Sequence, residues 1–354
     1  MSAPPTPASR PAGGPPLGQD GQDGQDGHGV RRAEVGTGSR LLRAVLLANL
    51  AAQVGIVFTG GLVRLTGSGL GCPTWPQCVP GSYTPVVQQP QGWHKDIEFG
   101  NRMLAFVVGV AGIAALLLTW RYVRRARAPR RLLVLAAAPL LGVVAQAVLG
   151  GVTVLTGLSP ATVAAHFLLS MVLVAASTVL YLAVCAPTRP ASVRPEIVRL
   201  GWGVAALAAV VLVLGTVVTG SGPHSGDAER PARFGLDPRT VSWLHADAVW
   251  LFVGLVVALV VALRLSPAPV ASRRAVGLLV VTLLQGVIGY VQYATDLPVA
   301  LVAAHLLGAS SLVVAVTAVV AALTGTPASS AVSLAPELEA APAGPAPPER
   351  TSTA

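Results

Sequence analysis

Eight runs of mostly apolar residues, at about 41–63, 97–119, 132–154, 161–185, 200–220, 239–263, 275–294 and 298–324, alternate with polar stretches along the chain. A helix rises about 1.5 Å per residue, so roughly 20 apolar residues cross the hydrocarbon core of a bilayer. The pattern predicts an all-α integral membrane protein with eight transmembrane helices. Charge is unevenly placed between the runs. Arg121, Arg124, Arg125, Arg127, Arg130 and Arg131 crowd the second connection, Arg189, Arg194 and Arg199 the fourth, and Arg264, Arg273 and Arg274 the sixth. The alternate connections are long and mixed in sign (64–96, 221–238) or very short (155–160, 295–297). The positive-inside rule then places both termini in the cytoplasm and the 64–96 loop outside.

Composition agrees: 53% of the 354 residues are hydrophobic and 11% charged, against about a quarter charged in a soluble domain. The net charge of +9 belongs to the short loops, so it reports topology and membrane lipid; nucleic acid is excluded as a partner. The two ends differ from the middle. Residues 1–38, with their GQDGQDG repeat, and residues 325–354, rich in Ala, Pro, Ser and Glu, bury too little apolar surface to fold and are predicted to be disordered cytoplasmic tails.

The chain also repeats itself. QAVLGGVTVLTGLSPATVAAH (146–166) aligns without gaps with QGVIGYVQYATDLPVALVAAH (285–305), and GIVFTG (55–60) echoes GTVVTG (215–220). Four spans per unit is an even number, so the copies stand the same way up. The prediction is two pseudo-symmetric four-helix bundles, 41–185 and 200–324, about an axis along the membrane normal, with a site in each half or between them.

Ionisable residues inside a bilayer are costly and commonly functional. His94 precedes the second span, while His166, His245 and His305 lie in the fourth, sixth and eighth. His166 and His305 occupy matched repeat positions, roughly 10 Å into their helices at the helical rise. A single such imidazole can simply hydrogen-bond a neighbouring helix. Four at one depth, two of them repeat-matched, favour axial ligation of heme iron, for which helical bundles present imidazoles inward. His28, in the tail, and His224, in a loop, are expected to be solvated. No CxxCH is present, which excludes covalent c-type attachment.

With these residues in view, the chain resembles the heme A synthase family, membrane enzymes that oxidise a methyl group of heme O to the formyl group of heme A for heme-copper terminal oxidases. The resemblance covers about 41–324 and rests on GGLVRLTGSGLGCPTWPQC (60–78), IEFGNR (97–102) and the histidines at 166, 245 and 305. It implies an eight-helix bundle of two halves. The second half would hold heme b between His245 and His305, and the first would receive heme O with His166 as iron ligand. Glu98 matches the family's catalytic glutamate, and the chemistry implied is stepwise oxidation through a hydroxymethyl group to a gem-diol that loses water. The family's span-2 histidine is Asn101 here, leaving His94 as the alternative ligand. A heme O synthase (protoheme farnesyltransferase) would be the donor, the setting a bacterial plasma membrane, and the destination heme-copper oxidase assembly; a homo-oligomer is compatible.

The remaining candidates carry open alternatives. Glu98, near the outer boundary of an apolar helix, suits proton transfer or stabilisation of a cationic intermediate, or is an interfacial acid favoured by the helix dipole. Arg64 and Arg102 flank the first-half site and suit bidentate contact with a heme propionate; Arg64 could equally mark the membrane interface. Cys72 and Cys78 lie where disulfides persist, either as a static staple or as a redox-active pair. The competing function is a diheme b-type cytochrome passing electrons between quinol and an external acceptor, which leaves Glu98 and the cysteine loop without a role.

Overall fold

The computed structural model describes residues 29–227, 229 and 231–326. The tails expected at 1–38 and 325–354 fall outside it over 1–28 and 327–354, and His28 with them. Met1–Arg40 is counted apart from the compact unit that begins at Leu41, and the account below concerns that unit.

Eight helices make up the described residues: α1 (Gly29–Leu65), α2 (His94–Ala126), α3 (Arg131–Leu155), α4 (Pro160–Cys185), α5 (Pro195–Ser221), α6 (Pro238–Arg264), α7 (Pro269–Ala294) and α8 (Val299–Thr324). Each holds an apolar stretch long enough to cross a membrane, with α1 contributing Arg40–Leu65. The chain is a multi-pass membrane protein. No strand occurs among the described residues, only isolated bridges at Ser68–Asp227 and Val79–Ser82.

The helices outrun the apolar runs for local reasons. Four of them, α4 to α7, open on proline, whose missing N–H is one that a first helical turn leaves unpaired anyway. At α6 the Asp237 carboxylate completes the start by accepting the Thr240 N–H at 2.8 Å, an N-cap. Helix α2 continues past its apolar run through Arg124, which lies over the Trp120 ring at 5.0 Å, and ends where Arg127 turns left-handed at φ 50°, just before Pro129.

The repeat seen in sequence is carried into the helices: α3 and α7 end, and α4 and α8 begin and end, at the same repeat positions. Core packing is concentrated at the arginine-rich end. In the second half, Phe252, Val256, Leu259 and Leu263 of α6 meet Val204 and Val211 of α5, Leu278 of α7 and Val319 of α8. In the first, Leu42 and Leu46 of α1 meet Ala115, Ala136 and Leu180. The halves join through α4, α5 and α8, and Gly61 of α1 lies against Leu306 of α8, where an added Cβ would come within 2.6 Å of its side chain. The opposite end, toward the 64–96 loop, is where all three span histidines lie.

Between helices in lipid, the stabilising term is close packing rather than removal from water, so a cavity costs dispersion contacts. Phe252, 1% exposed, sits in the middle of the second-half core. Phe252→Ala is expected to cost about 3 kcal/mol, read as a lowered midpoint in thermal unfolding of the detergent-solubilised protein.

Candidate functional site

Three imidazoles are set in the bundle in the same way. His166 on α4 packs on Gly150 of α3, His245 on α6 packs on Gly215 of α5, and His305 on α8 packs on Gly289 of α7. A Cβ on these glycines would stand 3.3, 3.3 and 3.5 Å from the respective ring Cε1 atoms. In all three rings Nδ1 is buried and without a hydrogen-bond partner among the described residues, although the Val211 backbone lies within weak reach of the His245 ring. Buried polar atoms are normally paired, so three matched exceptions call for an explanation. Packing of the Nδ1–Cε1 edge on the neighbouring helix leaves Nε2 as the ring nitrogen turned away from it.

The two halves then differ. The second half carries two such rings, His245 on α6 and His305 on α8, whereas the first carries His166 on α4. Among the described residues no group of three or more His, Cys, Asp or Glu could enclose a metal ion. Imidazole pairs and single imidazoles fit a metal whose other ligands come from a macrocycle, so the residues present fit heme.

Asn101, at the position expected of a histidine, is turned toward α1: its Oδ1 accepts from Thr59 Oγ1 at 2.7 Å. His94 is built into the loop end, with Nδ1 2.8 Å from Ser68 Oγ and its ring stacked on Trp93 at 3.9 Å.

Glu98 and Arg102, one turn apart on α2, hold the cysteine loop. The Glu98 carboxylate is 6% exposed; its Oε2 accepts the Cys72 N–H at 2.6 Å, and its Oε1 accepts from Arg102 Nη2 at 2.7 Å. The same Arg102 nitrogen donates to the carbonyls of Cys72 and Thr74 at 2.9 and 3.1 Å. Cys72 and Cys78 are joined in a disulfide, and both are 0% exposed. The loop backbone comes so close to α2 that a Cβ on Gly71 would stand 2.3 Å from the His94 carbonyl oxygen, and the Trp75 ring lies on Gly151 of α3. The loop is thus a plate clamped over the first-half helices. With both sulfurs out of contact with solvent, an external thiol reaches them only if the plate lifts.

Arg64 is placed elsewhere than beside the first-half pocket alone. Its Nε donates to the His224 carbonyl at 2.6 Å and its Nη2 to the Thr219 carbonyl at 2.8 Å, both in the second half. Gly69 N–H donates to Gly226 O at 2.9 Å beside them. The guanidinium therefore stands over the junction of the halves. His224 is not the solvated residue expected: it is half-buried, and its Nε2 lies 3.0 Å from the Leu297 carbonyl.

Sequence reasoning passed over the polar side chains beneath His166. Gln146 Nε2 donates to the His166 carbonyl at 3.0 Å and to Ser170 Oγ at 2.5 Å, and Asn49 Nδ2 donates to Ser177 Oγ at 3.3 Å. The available signal was their presence inside apolar runs.

The glycine cradles yield a direct test. Gly215→Val would drive a branched side chain into the His245 ring, and for a heme held on that ring the expected result is loss of most of its absorbance in the purified protein. Gly203→Val on the same helix, where a Cβ meets nothing within 4 Å, is expected to retain it.

Comparison with known proteins places this geometry. The profile of the COX15-CtaA family, described as cytochrome oxidase assembly protein, matches residues 43–319. Proteins named heme A synthase from Bacillus mycoides (strain KBAB4), Bacillus cereus (strain AH187) and Bacillus anthracis (strain CDC 684 / NRRL 3495) are each similar at 31% identity over 118 residues, 33% of this chain and 36% of theirs. The chain thus spans about a third of the length of these curated relatives in the matched segment. The family match, by contrast, runs from α1 into α8 and takes in all three cradled histidines, Glu98 and the cysteine loop. The chain belongs to the cytochrome oxidase assembly protein family.

Proposed function

We propose that the protein is a heme A synthase: it oxidises the methyl group of heme O to a formyl group in its first half, with a heme b in its second half as electron carrier. The observation that carries this reading is the asymmetry between otherwise matched cradles. The second half carries two glycine-cradled imidazoles, His245 and His305, as suits a resident cofactor, whereas the first half carries His166 and has Asn101 bound to Thr59. A single protein ligand suits a tetrapyrrole that must enter and leave. The family description and the names of the relatives support the same reading.

Conversion of a methyl group to an aldehyde with oxygen from water releases four electrons and four protons for each formyl group formed, and the electrons leave in single steps to an electron acceptor outside this chain. Heme b, when bound by His245 and His305, supplies one-electron transfer. The chain's own residues supply the rest. His166, fixed by Gly150, positions the substrate. Glu98 is the protein carboxylate beside that half, and it accepts protons at Oε2 or balances positive charge as hydride equivalents leave. Arg102, bound to Glu98 Oε1 and to three loop carbonyls, keeps Glu98 and the plate in register. The clamped loop excludes bulk water from the reacting edge. The burial of Cys72 and Cys78 favours the staple role for their disulfide.

In this reading the cysteine-loop face is the outer face of a bacterial plasma membrane, both termini are cytoplasmic, a heme O synthase supplies the substrate, and the product goes to heme-copper oxidase assembly. Positioned acid–base groups contribute about 10²- to 10⁴-fold to a rate. Glu98→Gln is therefore expected to retain both hemes in difference spectra while heme A formation falls at least about 100-fold. His166→Ala is expected to keep the bis-imidazole spectrum of the second half and lose bound heme O. Full turnover in Glu98→Gln would remove its catalytic role.

A further inference from the structure

The first half contains a set of buried polar side chains whose repeat-matched positions in the second half are apolar, Gln285 apart. On α1, Asn49 and Gln53 are 1% and 3% exposed; one helical turn apart, they share a face, which Asn49 directs at Ser177 of α4. On α4, Ser170 shares the face of Ser177 and takes a hydrogen bond from Gln146, which is itself bound to the His166 carbonyl. Two hydrogen-bonded groups result, Asn49–Ser177 and His166–Gln146–Ser170, and by helical rise Gln53 stands between them in depth, one turn from Asn49 toward the loop end. At the repeat-matched positions the second half has Ala209 for Asn49, Val213 for Gln53, Ala309 for Ser170 and Val316 for Ser177. Gln285 matches Gln146, but its amide is packed over Gly308 of α8.

Three atoms of this set are buried without a partner among the described residues: Gln53 Nε2, Gln146 Oε1 and Asn49 Oδ1. That is one donor and two acceptors. A hydroxyl is the simplest group that both accepts and donates, and in hydrocarbon a hydroxyl strongly needs such partners. Depth agrees. Ser170 lies about 6 Å beyond His166 along α4, and Gln53 about 18 Å from the end of α1, against about 9 Å for His166 from the start of α4. These side chains thus stand below the iron ligand, on the side away from the cysteine loop. A tetrapyrrole whose anionic propionates face the loop end directs its opposite edge there. In heme O that edge carries a farnesyl chain attached through a hydroxyl-bearing carbon, a group that heme b lacks.

We propose that Gln53, Gln146 and Ser170 form a hydroxyl-recognition site that selects, for the first half, a tetrapyrrole bearing a hydroxylated prenyl substituent. This rests on the reading that the first half receives heme O. The substrate hydroxyl accepts from Gln53 Nε2 and donates to Gln146 Oε1, with Ser170 holding the Gln146 amide in place. Ser170 is a positioning residue; Gln53 and Gln146 make the contacts. The second half, apolar at all four matched positions beside its own glutamine and with a separate buried hydroxyl at Ser310, lacks the amide pair and fits a heme without the hydroxyl.

The test uses the full chain in lipid nanodiscs with the second half already loaded with heme b. Heme O and its dehydrated derivative, in which loss of water leaves an alkene in place of the hydroxyl, are titrated separately and followed by the Soret band. A site built to bind a hydroxyl rejects the analogue lacking it, and an unpaired buried partner costs enough for about tenfold or more in affinity. The wild type is expected to prefer heme O by at least that factor. Gln53→Val, which installs the residue found at Val213, is expected to reduce the preference to within about twofold, leaving affinity for the dehydrated compound unchanged. Retention of the second-half bis-imidazole spectrum shows that the variant is folded; should it be lost, Ser170→Ala carries the same comparison. Equal binding of both compounds by the wild type, or undiminished preference in Gln53→Val and Ser170→Ala, would overturn the proposal while leaving the first-half site intact. Loss of turnover with the preference unchanged would overturn it too, making these side chains a route for protons or water. Binding of neither compound would overturn the assignment of heme O to the first half itself.

Discussion

Three imidazoles seated on three glycines govern what this bundle can do. An aromatic ring lodged between membrane helices must displace something, and here it displaces a side chain: Gly150, Gly215 and Gly289 give up their Cβ so that the ring edge rests on backbone. The cost is a buried Nδ1 without a partner in each ring. That cost falls on the end of the bundle where core packing is thinnest, whereas the arginine-rich end is closed by Phe252, Leu259, Leu46 and their neighbours. Rigid apolar packing at one end supports the polar histidine pockets at the other.

Duplication supplies two such pockets, and small departures from symmetry give them different uses. The second half seats both His245 and His305 on glycines, but in the first Asn101 is drawn to Thr59, which leaves His166 as its one glycine-seated imidazole among the described residues. Only the first half is roofed by the disulfide plate, which Glu98 and Arg102 hold from below. Arg64 ties the root of that plate to the carbonyls of Thr219 and His224, so the roof of one half is anchored in the other. On the proposed reading, this is how a fixed electron carrier and an exchanging substrate coexist in one repeated fold.

Much of this was legible in the chain. The eight spans follow from hydropathy because, in lipid, backbone groups must pair internally and helices satisfy that within each segment. The repeat and the matched histidines 166 and 305 follow from an ungapped alignment. What the sequence could not give is direction. Arg64 read as a neighbour of the first-half pocket because it follows the first span; only the fold brings Thr219 and His224 to it. His224 read as solvated because it lies in a polar loop, yet that loop folds onto Leu297. Asn49 and Gln53 were visible as polar residues within an apolar run, but their shared purpose emerges only when α4 places Ser177 beside them.

The central claim is that the two repeated halves hold two hemes with different fates, one retained and one converted. The most direct measurement is mass analysis of the hemes extracted from the purified wild-type protein after co-expression with a heme O synthase. The account predicts heme A together with unmodified heme b. Heme b accompanied by heme O alone, with no heme A, would contradict it and leave the protein a heme-binding electron carrier.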